Sequence, residues 1–440
     1  MDTLRTFVWS TLDSAQQARL LARPAVAATR KQSARVAEII AQVRRDGDAA
    51  LLQLTAEIDG VQLDSVAVAA SEFDAAEAAL SDAQEQAIRT AAANIETFHA
   101  LQRPSAIDIE TMTGVRCQRV TQPIERVGLY VPAGTAPLPS TALMLGVPAL
   151  LAGCPLRVLC CPPGKDGKVD AAVLYAARLG GIERVFAVGG AQAIAAMAYG
   201  TTSIPKVDKI FGPGNAWVTE AKTQVDLDPE GAAKDYPAGP SEVLVIADDS
   251  ADPEFVAADL LSQAEHGPDS QVILLTPSSE LADQVIAATE RQLALLPRRV
   301  IAEQALGHAA LIVVEDCDQA IAISNRYAPE HLILQIADAR ERLNSIRNAG
   351  SVFIGAWTPE SIGDYCSGTN HVLPTYGYAS RYSSLGLNDF LRSMTVQELS
   401  PAGLKSLGPV AVTLAETEGL DAHARAVSLR LASLNEEQAR

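Results

Sequence analysis

The chain of 440 residues is too long for one simple core, so two or more domains are expected. Hydrophobic residues make up 48% and charged residues 20%, the ordinary balance of a globular protein, while the formal net charge is -18 and the isoelectric point is near 4.8. That acidity argues against a nucleic-acid partner and against an anionic membrane surface, since both are bound through clustered basic groups.

The N-terminus, MDTLRTFVWSTLDSAQQARL, places acidic and polar residues where a signal peptide needs an apolar stretch. From there to about Pro104 the chain reads as helical. AEIIAQVRRDGDAALLQLTAEID and DAQEQAIRTAAANIETFHALQ both repeat apolar residues at three- and four-residue intervals. Next come short continuous apolar runs that alternate with helices: RVGLYVP, LRVLCCPP, RVFAVGG, DKIFGPG, EVLVIAD, QVILLT, LIVVED, HLILQI and SVFIG. Runs of this kind suit strands buried on both faces of a parallel sheet. The longest apolar region, Thr141 to Cys161, contains Gly146, Pro148, Gly153, Pro155 and Arg157, so a helix followed by a strand explains it better than a membrane span. In DDSADPEFVAADLLSQAEHG, Asp252 is a good N-cap, Pro253 fits the first turn and Gly267 is a stop. The tail TVQELSPAGLKSLGPVAVTLAETEGLDAHARAVSLRL reads as helices with no strand between them.

The fold expected is therefore α/β, with two doubly wound Rossmann-like domains and small helical elements at both ends. The expected bounds are a helical segment at 1–26, a discontinuous first domain at 27–128 and 241–385, a second at 129–240, and a helical domain at 386–440. The cysteines, Cys117, Cys154, Cys160, Cys161, Cys317 and Cys366, include no CxxC pair, and a disulfide framework is not expected in a chain of this size. A reducing cytoplasmic location follows as the expectation.

Candidate chemistry gathers around the histidines, of which the chain holds only 6. Glu265-His266 and Glu330-His331 are acid–imidazole pairs, and GDYCSGTNH adds Asp364 and His371. Imidazole changes charge near neutral pH and ligates metals when neutral. Any one of these could be a hydrogen-bonded structural histidine; three clusters in one half of the chain favour a site. Gln263 and His266, three apart near a helix end, share a face and could bind one ion, although a solvated helix end explains a lone QxxH as well. Asp364 and His423 are further donors, and Glu418 lies about a turn and a half before His423, where a solvated acidic helix start is the alternative.

Glu330-His331 follows Pro329 at the entry to HLILQI. Pro329 should end the preceding helix and bias Ala328 toward an extended conformation. Neighbours inside a strand point to opposite faces, so both residues serve one site only if that entry is irregular. The His could then act as a general base, with the Glu orienting water or substrate. RVFAVGGAQAIAAMAYGT and KIFGPGNAWVTEAK each place a glycine turn between a strand and a helix, which suits a phosphate at a helix N-terminus. Neither is G-x-G-x-x-G, and no GxxxxGK[ST] occurs.

Read together, ERVGLYVPAGTAPLPSTALM, FAVGGAQAIAAMAYGT, KIFGPGNAWVTEAK, DYPAGPSEVLVIAD, LLSQAEHGPDSQ, NRYAPEHL, GDYCSGTNHVLPTYGYA, SSLGLNDF and EGLDAHARA resemble the histidinol dehydrogenase family, in consistent order from about Arg126 to Arg425. The resemblance implies NAD-dependent oxidation of L-histidinol to L-histidinaldehyde and then to L-histidine, the last two steps of histidine biosynthesis. It implies that Gln263, His266, Asp364 and His423 are zinc ligands, one ion per subunit. His331 is implied as general base and Glu330 as the residue that activates water for the aldehyde step. Substrate contacts are implied at Ser241, Gln263, His266, His331, Asp364, Glu418 and His423, and NAD contacts at Tyr130, Gln192 and Asn215. A homodimer is implied, with the C-terminal domain crossing to the other subunit. Competing readings are a zinc-dependent hydrolase, disfavoured by the lack of HExxH, a two-lobed binding protein, and a relative that oxidises another amino alcohol.

Overall fold

A computed structural model describes residues 4–23, 30–133, 136–236 and 239–438. The chain divides into two compact units, one formed by 1–102 and 124–390, the other by 103–123 and 391–440. In chain order the strands are β1 (Thr6–Val8), β2 (Ile107–Met112), β3 (Val115–Pro123), β4 (Arg126–Tyr130), β5 (Leu156–Cys161), β6 (Arg184–Ala187), β7 (Lys209–Phe211) and β8 (Ala233–Lys234). They continue as β9 (Glu242–Ala247), β10 (Gln271–Thr276), β11 (Ala310–Val313), β12 (His331–Gln335), β13 (Ser351–Ile354) and β14 (Leu391–Leu399).

Every apolar run named above forms a strand, and the doubly wound α/β architecture is present. In the first unit β4–β8 form a five-stranded parallel sheet ordered β6-β5-β4-β7-β8, while β1 and β9–β13 form a six-stranded parallel sheet ordered β1-β11-β10-β9-β12-β13. The burial follows the sequence. EVLVIA and QVILLT are buried at every position, which is what helices on both faces of a sheet require. Each sheet reverses its winding once, between β4 and β7 in the first and between β9 and β12 in the second. Such switch points leave a crevice between diverging connections, where α/β proteins place their ligands.

Two stretches read as helical carry a strand. Thr6–Val8 is β1, which pairs in parallel with β11 along Leu311–Val313; a three-residue edge strand is too short to show a period in sequence. The segment before the tail's helices is β14, which pairs antiparallel with β3 over nine residues. Its outer positions are exposed, so β14 lacks the apolar run that marks a buried strand. In the second unit the sheet β14-β3-β2 accompanies helices Pro401–Thr417 and Asp421–Gln438. No helix among the described residues is long and apolar enough to cross a membrane.

Candidate active site

The helix Pro253–Ala264 starts where the sequence indicates. Asp252 accepts a hydrogen bond from the Glu254 backbone N–H, and Pro253 occupies the first turn. The helix carries Gln263 fully buried and ends so that His266 stands just beyond it, exposed. Across from it, β12 begins at His331. Glu330 lies one residue before the strand, so both side chains turn into the same buried space, with Glu330 Oε2 3.7 Å from His331 Nδ1. The irregular entry that a shared site requires is therefore present. It is made by Ala328, whose φ of 54° and ψ of 67° are left-handed where an extended conformation was expected. Proline at 329 disfavours the right-handed helical region for Ala328. The chain must nevertheless turn sharply out of helix Cys317–Tyr327, and the Ala328 N–H still donates to Ser324 O at 2.7 Å. A non-glycine residue in this region costs on the order of 1 kcal/mol, and such strain gathers at functional sites.

The imidazole of His331 sits among three carboxylates. Its Nδ1 is 3.6 Å from Glu360 Oε1, and its Nε2 is 3.5 Å from Asp364 Oδ1. Burial alone would lower the imidazole pKa, but Glu360, Glu330 and Asp364 outweigh it and hold the value well above the usual range. Burial in turn pushes Glu330 up to about 8 and raises Glu360. Asp364 moves the other way, because the neighbouring imidazole outweighs the burial that would raise it. The backbone carbonyl of Glu242, 3.1 Å from His331 Nδ1, can only accept.

Gln263 is satisfied in one orientation only. Its nitrogen donates to Glu360 Oε1 at 3.0 Å and to Glu242 O at 3.1 Å, which turns its oxygen to His266. A ring nitrogen of His266 and carboxylate oxygens of Glu360 and Asp364 lie within 4.8 Å of one another. His331 Nε2 and Glu360 Oε2 are buried without a hydrogen-bond partner among the described residues. Imidazole nitrogen with carboxylate and amide oxygens is a donor set that fits zinc. Ser241, half-buried immediately before β9, accepts at its backbone carbonyl from Gln271 N.

The second cluster lies at the carboxyl ends of β4, β6 and β7, at the switch point of the five-stranded sheet. Tyr130 ends β4, is buried, and its hydroxyl accepts from the Gly190 N–H at 3.0 Å. Gln192, in helix Gly190–Tyr199, is 1% exposed, yet neither its amide oxygen nor its nitrogen has a partner among the described residues. Two orphaned polar atoms in so buried an amide call for a ligand. Gly190 stands at φ 64°, and a Cβ there would meet Gln192 Oε1 at 2.7 Å. Asn215 caps helix Ala216–Leu227, its Oδ1 accepting from Trp217 N and Val218 N. A glycine turn, a helix N-terminus and an unpartnered amide at a switch point fit a dinucleotide.

The model of histidinol dehydrogenase matches residues 22–431. Histidinol dehydrogenase of Vibrio parahaemolyticus is 58% identical over 99% of this chain and 100% of its own length, and that of Photobacterium profundum is 58% identical over 99% and 97%. The crystal structure of histidinol dehydrogenase from Elizabethkingia anophelis superposes with a TM-score of 0.94 at 48% identity, over 98% of this chain and 99% of that one. The chain belongs to the histidinol dehydrogenase family. It is accordingly an oxidoreductase, and the resemblance read from the sequence blocks is borne out.

Of the residues that the histidinol dehydrogenase resemblance singled out, Gln263, His266, Glu330, His331 and Asp364 come together in the first unit, and Tyr130, Gln192 and Asn215 form the second cluster there. Glu418 and His423 belong to the second unit. They do not share a helix: Glu418 closes Pro401–Thr417, Gly419 at φ 71° ends it, and His423 lies in Asp421–Gln438. Within the quoted blocks, residues 134–135 and 237–238 lie outside the described residues, as do 1–3 and 24–26 of the N-terminal segment. Glu360 was missed, although TPESIGD sets it four residues before Asp364, on the same face of a short helix. Arg23 and Glu242 were missed too. Arg23 donates to both Glu242 carboxylate oxygens, at 2.5 and 2.9 Å, and to Tyr327 O at 2.8 Å, fixing the strained turn from behind. No local pattern links residues 219 positions apart. His371, given no role from sequence, bridges Asp364 O and Thr141 Oγ1.

Proposed function

We propose that this enzyme oxidises L-histidinol to L-histidinaldehyde and then to L-histidine, using NAD⁺ in both steps, at the end of histidine biosynthesis. The observation that carries the reading is the buried Glu330–His331 pair, set beside Gln263, His266 and Asp364 in a chain of the histidinol dehydrogenase family. Gln263, His266 and Asp364 would hold zinc, with His423 as the further ligand and Ser241 and Glu418 as substrate contacts. When bound, the metal supplies an anchor for the amine and imidazole of the substrate and a positive charge that draws down the pKa of His331, while the dinucleotide supplies the hydride acceptor. His331 takes the alcohol proton as the hydride leaves. Glu330, poised by burial near the working pH, accepts a proton from the water that adds to the aldehyde. The backbone N–H of Glu242 donates to its Oε2 at 2.8 Å and fixes that carboxylate. The enzyme is cytoplasmic and works as a homodimer in which Glu418 and His423 complete the partner's site.

NADH formation from L-histidinol by the purified protein tests this reading. We expect about two NADH per histidinol, loss of turnover on chelation and its return with zinc. Full turnover in metal-free protein would remove the zinc role, and an absence of NADH would remove the substrate.

A further inference from the structure

The turn that joins β7 to helix Ala216–Leu227 is gripped by a buried ion pair outside the catalytic cluster. Lys222, on that helix, pairs with Asp235, which follows β8; the two side chains are 8% and 3% exposed. Both partners also bind Gly212. Lys222 Nζ donates to the Gly212 carbonyl at 3.0 Å, and Asp235 Oδ2 accepts from the Gly212 N–H at 2.9 Å. The Asp235 N–H donates to Ile210 O, which ties the acid to the end of β7. Gly212 itself stands at φ 122°, and a Cβ there would lie 2.2 Å from the Tyr130 carbonyl oxygen. A single pair thus satisfies both backbone groups of the one residue that brings the Gly212–Asn215 turn against Tyr130.

Removing two charges from water costs several kcal/mol per ion, and an apolar pair of similar size would often hold a core as well. A hydrophobic pair, however, could not hold the Gly212 N–H and carbonyl. We propose that Lys222 and Asp235 are positioning residues for the dinucleotide: they keep the Gly212–Asn215 turn in the shape that receives it. The proposal rests on the reading that this turn, with Tyr130 and Gln192, binds NAD⁺.

The test compares Asp235→Asn with the double variant Lys222→Met/Asp235→Leu, measuring the melting temperature and the KM for NAD⁺ and for histidinol. Asp235→Asn should melt lower, and its KM for NAD⁺ should rise by about tenfold while the KM for histidinol stays. The double variant removes the buried charges and should regain the melting temperature, yet keep the raised KM for NAD⁺. It carries the test if Asp235→Asn does not fold. A double variant that regains both stability and the normal KM would make the pair a fold determinant only, and so would an equal rise in both KM values. Asn215→Ala separates the two levels. If its KM for NAD⁺ is normal, the cofactor reading falls and takes this proposal with it; if that KM rises while the pair's variants stay normal, the proposal alone falls.

Discussion

Burial decides how single residues ionise here, and the consequence is plainest at Asp259. This residue is 5% exposed on helix Pro253–Ala264, and its carboxylate accepts from Gln335 Nε2 at 2.8 Å. Burial outweighs that bond and pushes the pKa from 3.8 up to about 6. The folded protein therefore holds this proton more tightly than the unfolded chain. Stability from the group is present below about pH 4, falls as the pH rises toward 6, and is constant above. Asp259→Asn, neutral at every pH, should gain on the native protein across that window and lead by ~3 kcal/mol at pH 8. Urea midpoints at pH 4 and pH 8 check this; an advantage that does not grow with pH would sink it. At the same scale, sequence exposed Glu330, His331, Gln263, His266 and Asp364 because each sits in a local cluster of donor side chains. Glu360, Glu242 and Arg23 stayed hidden, because what makes them important is distance in space.

Elements were legible wherever a local signal sets them. Asp252 and Pro253 announce their helix, Gly189 and Asn215 announce theirs, and each buried strand is a short apolar run. Failures came where the signal is tertiary. β14 is exposed and held by its pairing with β3, and Glu418 was read onto the helix of His423 because Gly419 gives only a weak stop. Close packing between elements is equally silent in sequence. Gly146 in helix Pro139–Ala152 faces Gly180 at the end of helix Ala171–Leu179, and a Cβ built on Gly180 would meet the Gly146 Cα at 3.0 Å. Both contacts are backbone, so neither helix can yield by a rotamer change. Gly180→Ala should destabilise by about 1–3 kcal/mol, read as a lower denaturant midpoint, through overpacking alone. A neutral outcome would show that the two helices separate freely.

For the whole molecule, the two sheets carry their polar clusters at opposite ends of their strands. The five-stranded sheet places Tyr130, Gln192 and Asn215 at the carboxyl ends of its strands, in keeping with the usual rule for α/β ligands. The six-stranded sheet does the reverse. Glu242 and His331 open β9 and β12, so the Glu330–His331 pair stands at the amino ends of the strands. If Glu418 and His423 complete the partner's site, as proposed, mixing subunits has a definite signature. His331→Asn and His423→Asn should each be inactive alone. Unfolding and refolding them together should restore about a quarter of native activity, since half of the dimers would carry one intact site. Mixtures that stay inactive would place both histidines in the same subunit's site.

Sequence by itself determined the α/β class, the buried strands with the helices between them, and the family, since periodicity, caps and long matching blocks are local and survive without coordinates. It also singled out Gln263, His266, Glu330, His331 and Asp364, which the fold brings together. The tertiary structure alone decided that Glu360 turns the Gln263 amide toward His266, that a left-handed Ala328 brings Glu330 and His331 to one side, and that Lys222 and Asp235 hold Gly212. Each of these is an arrangement of buried polar groups drawn from distant parts of the chain. Such groups are kept only where every partner is supplied in space, and no window of sequence contains those partners.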